Sequence, residues 1–91
     1  MNNESFKTKD KQLAPYLLTQ SELNFEGTLV VGSIVYFRFT PFQKALTLTN
    51  KYLTHKAGLV DPKILLEAVE TYRDIIFEMK EKMKNHDLHE S

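Results

Sequence analysis

The sequence predicts a small single-domain α+β fold: a helix, a β-hairpin, then two helices that fold back as an antiparallel pair onto one face of the hairpin. Two observations lead there. Apolar residues recur at helical spacing near the start, alternate singly through the middle, and return to helical spacing over the second half. The 91 residues are 42% apolar and 26% charged with three glycines and three prolines, the length and composition of one folded domain.

The first helix is read from "FKTKDKQLAPYLLTQ". Thr8 and Asp10 are cap candidates, because their side-chain oxygens can accept from the free amides of a first turn. Leu13, Tyr16, Leu17 and Gln20 then follow one face. Pro15 cannot donate to the carbonyl of Lys11, so the regular helix is expected to begin near Gln12, with an irregular first turn, and to end near Gln20.

From Glu22 the period becomes two. Leu23 and Phe25 alternate with Glu22, Asn24 and Glu26; Gly27 marks a bulge or twist; Leu29, Val30 and Val31 continue the strand; Gly32 and Ser33 turn it. The second strand, Ile34 to Thr40, sets Val35, Phe37 and Phe39 toward a core and Ile34, Tyr36, Arg38 and Thr40 away from it.

Pro41 suits the first position of a helix capped by Thr40, with Phe42, Ala45, Leu46, Thr49, Tyr52 and Leu53 along one side. Gly58 supplies a left-handed stop. Asp61 caps the last helix and Pro62 opens it. Leu65, Ala68, Val69, Tyr72, Ile75, Ile76, Met79 and Met83 form its core stripe, and it is expected to end near Lys84. Residues 1–5 and 85–91 are polar and read as flexible tails around a domain of residues 6–84.

Composition narrows the function classes. The absence of cysteine removes disulfides, thiolate nucleophiles and cysteine-ligated metals together, and fits a cytoplasmic protein. No stretch reaches the roughly 20 apolar residues of a membrane helix, and the start lacks the pattern of a signal peptide, so no membrane association is expected. The net charge is zero, yet residues 27–60 hold Arg38, Lys44, Lys51 and Lys56 and no acid. The balance therefore neither excludes a nucleic-acid partner nor argues for one.

"FKTKDKQLAPYLL", "VYFRF" after a glycine turn, "GLVDP" and a last helix carrying "IIF" resemble a family of short uncharacterised bacterial and phage proteins, a domain of unknown function. Phe6, Thr8, Asp10, Leu13, Ala14, Leu17, Phe37 and Phe39 carry the resemblance. It implies a small cytosolic accessory protein, encoded on a mobile element or phage, and it nominates no catalytic residue.

No constellation reads as catalytic. The acids sit on caps, tails and wet helix faces, and the glycines are isolated, so no phosphate loop exists. His86 and His89 in "HDLHE" are two ligands without support, and no metal or cofactor is expected. The expectation is a non-enzyme that binds a macromolecule. On the last helix, Leu66, Arg73 and Phe77 fall off the core stripe beside the acids Glu67, Glu70, Asp74, Glu78 and Glu81. Large apolar side chains there suggest a protein contact, and an antiparallel homodimer through this helix would cover Leu66 and Phe77; packing of the first helix is the competing explanation. The alternative is nucleic-acid binding, with Lys44, Lys51 and His55 as a basic stripe near an aromatic and cationic strand face of Tyr36 and Arg38.

Overall fold

In the computed structural model, six elements follow in chain order: β1 (Phe6–Thr8), α1 (Leu13–Leu18), β2 (Asn24–Val31), β3 (Ile34–Thr40), α2 (Phe42–Leu53) and α3 (Pro62–Glu90). The structure describes residues 4–55, 58 and 60–90, with side chains as far as 84. The fold is the expected α+β class with helices packed on the hairpin, although α3 packs chiefly on α1 rather than pairing with α2, and it has one addition. A third strand, β1, joins the hairpin, giving an antiparallel sheet of order β1-β3-β2.

The central strand β3 organises the rest. Its alternation places Val35, Phe37 and Phe39 in the core, with Phe37 and Phe39 fully buried, and leaves Tyr36, Arg38 and Thr40 half-buried on the other face. Leu13 and Leu17 of α1 and Ala45 and Leu48 of α2 complete the same cluster, and Tyr72 of α3 stacks on Phe37 at 4.9 Å between ring centroids. α1 packs on both α2 and α3. All three helices thus gather on the phenylalanine face.

β2 reaches that face through a bulge where the sequence expects one. Phe25 pairs with Phe39 and Thr28 with Phe37, so one extra residue lies on β2 between them. Gly27 takes φ of 94°, a conformation open to glycine. The extra residue resets the parity, and both Phe25 before it and Val30 after it face inward. Gly32, with φ of 63°, is the first residue of the two-residue hairpin turn, as a type II′ turn requires.

Asp10 supports the entry to α1. Its carboxylate accepts from the amides of Gln12 at 2.7 Å and Leu13 at 2.9 Å, while Thr8 Oγ1 accepts from the amide of Asp10 at 3.1 Å. α1 is shorter than expected, closing at Leu18, and Pro15 lies in its first turn, where an N–H has no acceptor within the helix to lose. At the other helices, Asp61 caps α3 by accepting from the amide of Lys63 at 2.8 Å.

Four expectations need correction. Thr40 does not cap α2: its hydroxyl donates to Glu26 Oε2 at 2.6 Å, Pro41 is the residue before the helix, and the Pro41 carbonyl accepts from the Ala45 amide. Leu48, rather than Leu53, completes the buried side of α2, because the helix is viewed by the core along Ala45, Leu48, Thr49 and Tyr52. Gly58 is not the left-handed stop. His55 takes that conformation (φ 60°), after Thr54 Oγ1 has donated to the Asn50 carbonyl at 2.8 Å. Histidine tolerates this region better than most residues. Finally, α3 runs on to Glu90, since no glycine or proline interrupts residues 84–90.

The hydrogen bonds from the two backbone amides, Leu13 first, hold the Asp10 carboxyl below its ordinary pKa of 3.8, with Lys11 adding in the same direction and burial opposing. A lowered pKa contributes stability that is present above the ordinary value and is lost as pH falls through the lowered one. Asp10→Ala is expected to destabilise the protein by about 1 kcal/mol at neutral pH. In thermal unfolding, the gap between variant and wild type should close in strong acid; a gap unchanged with pH contradicts the cap.

Candidate functional site

Three surfaces remain once the core is accounted for. The first is the outer side of α3. Its inner stripe, Ala68, Tyr72, Ile75, Ile76, Met79 and Met83, meets the core. On the opposite side Leu66 is 62% exposed and Phe77 67% exposed, with Glu70 and Arg73 exposed between them. Steps of four, three and four residues keep these side chains within about 60° on a helix, as one row about 16 Å long. α1 packs on α3 beside Ala68 and Ile64 and comes near the row only at Arg73, which also borders the groove beside Pro15 and Tyr16, so Leu66 and Phe77 stay open. The structure therefore brings Leu66, Arg73 and Phe77 together on a single open face.

The second surface is the outer face of the sheet, which no helix covers among the described residues. It has two halves. Near the turn, the cross-strand pairs Leu29 with Tyr36 and Val31 with Ile34 leave an apolar patch in which Val31 is 55% exposed. At the other end, Lys7 pairs with Arg38 across β1 and β3. An open depression beside Tyr36, about 620 Å³, is lined by Lys7, Lys9 and Lys11 with Asp10 among them.

Arg38 has a structural task on that face. Its Nη2 donates to the backbone carbonyl of Glu26, a residue of the bulge, at 2.7 Å, and it passes 3.5 Å from where a Cβ on Gly27 would lie. Glu26 in turn accepts from Thr40. An arginine in a strand of valine and phenylalanine is thus explained first by the bulge beside it.

The five residues considered for nucleic acid do not form one surface. α2 packs against the phenylalanine face of the sheet, whereas Tyr36 and Arg38 project from the other. Lys44 is paired with Glu22 at 3.1 Å, Lys51 stands exposed in the last turn of α2, and His55 is its left-handed stop. The lysines that do surround Tyr36 come from β1 and the segment after it. Their signal was in the sequence: Lys7, Lys9 and Lys11 alternate with Thr8 and Asp10, a strand period.

The third surface is a groove of about 540 Å³ between α1, the end of α2 and α3, where the rings of Tyr16 and Tyr52 meet at a tilt of 33° with centroids 4.9 Å apart and Tyr72 and Arg73 line the wall. Burial raises the pKa of Tyr16 and of Tyr72, reinforced by Glu22 and Asp10 respectively. Both hydroxyls stay neutral at physiological pH. Among the described residues no cluster of three or more histidine, aspartate or glutamate side chains is placed to hold a metal, and His86 and His89 lie outside the described side chains. No helix among the described residues is long and apolar enough to cross a membrane. Comparison with protein-family models, curated proteins and solved structures gives no match, so the functional reading rests on this geometry.

Arg38→Ala leaves the Glu26 carbonyl at the bulge without its charged donor. It is expected to cost about 1–2 kcal/mol in chemical denaturation. An effect within about 0.5 kcal/mol, usual for an uninvolved surface residue, would contradict the structural role of Arg38.

Proposed function

We propose that this protein is a non-catalytic interaction module that contacts a protein partner through the outer row of α3. The observation that carries the reading is the joint exposure of Leu66 and Phe77 on one row, on a helix that already presents a separate stripe to its own core. Scattered exposed leucines need no explanation, but a leucine and a phenylalanine aligned about three turns apart, with a complementary charge pair between them, form a graded contact surface.

Magnitudes set the kind of contact. Burying a Leu or Phe side chain is worth about 1.5–3 kcal/mol, so covering the exposed two-thirds of these residues on both sides of a symmetric contact contributes about 4–8 kcal/mol. Association costs about 4–15 kcal/mol in lost freedom. The row alone therefore supports a weak, reversible contact rather than an obligate one.

Phe77→Glu is expected to abolish partner capture, or the concentration-dependent rise in mass by light scattering, while leaving the circular dichroism spectrum and the melting temperature unchanged. Equal capture by wild type and variant would sink this reading. A variant that fails to fold would sink it as well, because it would place Phe77 in the protein's own core.

A second reading is favoured by one observation, the gathering of Lys7, Lys9 and Lys11 around Tyr36 on the open sheet face. An aromatic ring among cationic neighbours suits a single-stranded nucleic acid. Such binding falls steeply with salt, and Lys7→Glu with Lys9→Glu is expected to flatten that slope in a fluorescence-anisotropy titration. Absence of binding to any strand at low salt removes this reading and leaves the first untouched.

A further inference from the structure

We propose that the partner of the outer row of α3 is a second copy of this chain, packed antiparallel so that Leu66 meets Phe77 of the partner subunit. The inference rests on the reading of that row as a contact surface and adds an occupant and a register. Symmetry supplies the first argument. A two-fold contact is self-complementary: if one residue meets another, the second meets the first. Leu66 and Phe77 lie equally far on either side of the midpoint between Thr71 and Tyr72, and so do Glu70 and Arg73. The centring that stacks leucine on phenylalanine therefore also sets Glu70 against Arg73 of the partner subunit, once on each side of the axis.

Charge supplies the second argument. Neither Glu70 nor Arg73 forms an ion pair or hydrogen bond among the described residues, so both are available. A parallel pair in register would instead set Glu70 against its own copy and Arg73 against its own copy, which repel. The alternating four- and three-residue steps are those of a two-helix seam. The seam is short. Its next layer would oppose Lys63 to Lys80 of the partner subunit, and Glu67, Asp74 and Glu78 line one flank, so the ends splay and the flank stays in solvent. Salt screens that flanking repulsion more than it weakens the apolar layers, so self-association should survive salt that would strip a nucleic acid.

The test is sedimentation equilibrium of the full chain from dilute to millimolar concentration. The wild type is expected to pass from monomer to dimer mass. Glu70→Arg or Arg73→Glu alone brings like charges together at both central layers and should raise the dissociation constant about tenfold or more. The double exchange Glu70→Arg with Arg73→Glu restores opposite charges only in the antiparallel register and should return it to near the wild-type value. Mixing the two single variants should likewise give a mixed dimer. All these positions are exposed, and circular dichroism checks that each variant folds. A monomer throughout, single variants without effect, or a double variant no better than the singles would overturn the proposal. If Phe77→Glu dissociates the dimer while the double exchange fails to rescue it, the register falls and the row stands; if Phe77→Glu leaves the dimer intact, the row itself falls.

Discussion

A β-strand with one side chain up and the next down can bury only every second residue, and β3 applies that constraint at the centre of the sheet. Phe37 and Phe39 are fully buried because both neighbouring strands and all three helices meet the side of the sheet on which they lie. Deleting one such ring typically costs about 3–5 kcal/mol, a large share of the 5–15 kcal/mol by which a domain of this size is stable. The same alternation commits Tyr36 and Arg38 to the opposite face. The bulge at Gly27 lets the edge strand keep Phe25 and Val30 on the phenylalanine side, and Arg38 closes the gap by donating to Glu26.

These features were legible to the degree that they were local and periodic. The hairpin, its bulge and turn glycines, and the core stripe of α3 follow from alternation and helical spacing in adjacent residues. β1 did not, because three residues are too few to show a period, and Thr8 and Asp10 offered a competing role as caps. They in fact do both: Thr8 sits in the sheet while its hydroxyl holds Asp10, and Asp10 holds the helix start. The end of α2 was misplaced for a related reason. Glycine is the usual left-handed residue, but the Thr54 hydroxyl bonds back to Asn50 and ends the helix before Gly58 is reached.

The candidate surfaces divide in the same way. Leu66, Arg73 and Phe77 share one helix, so their relative placement follows from rise and turn alone. What the sequence left open was whether α1 covered them, a tertiary question: α1 packs beside Ile64 and Ala68 and leaves Leu66 and Phe77 exposed, with Arg73 at the border of its groove. Tyr36 and Arg38 come from β3, Lys44 and Lys51 from α2 and His55 from just beyond it, and there the sequence placed together residues that the fold separates. Of the lysines that the fold does bring to Tyr36, Lys7 belongs to the short strand β1 and Lys9 and Lys11 to the segment that follows it.

Two apolar faces on one helix, one turned to the core and one turned out, are the centre of this account. Hydroxyl-radical footprinting read residue by residue over a concentration series tests it most directly. Leu66 and Phe77 are expected to react as freely exposed groups in dilute solution and to become protected as concentration rises, while Phe37 stays protected and Val31 stays reactive throughout. A Phe77 as unreactive as Phe37 in dilute solution, or one whose reactivity is the same at every concentration, would contradict it.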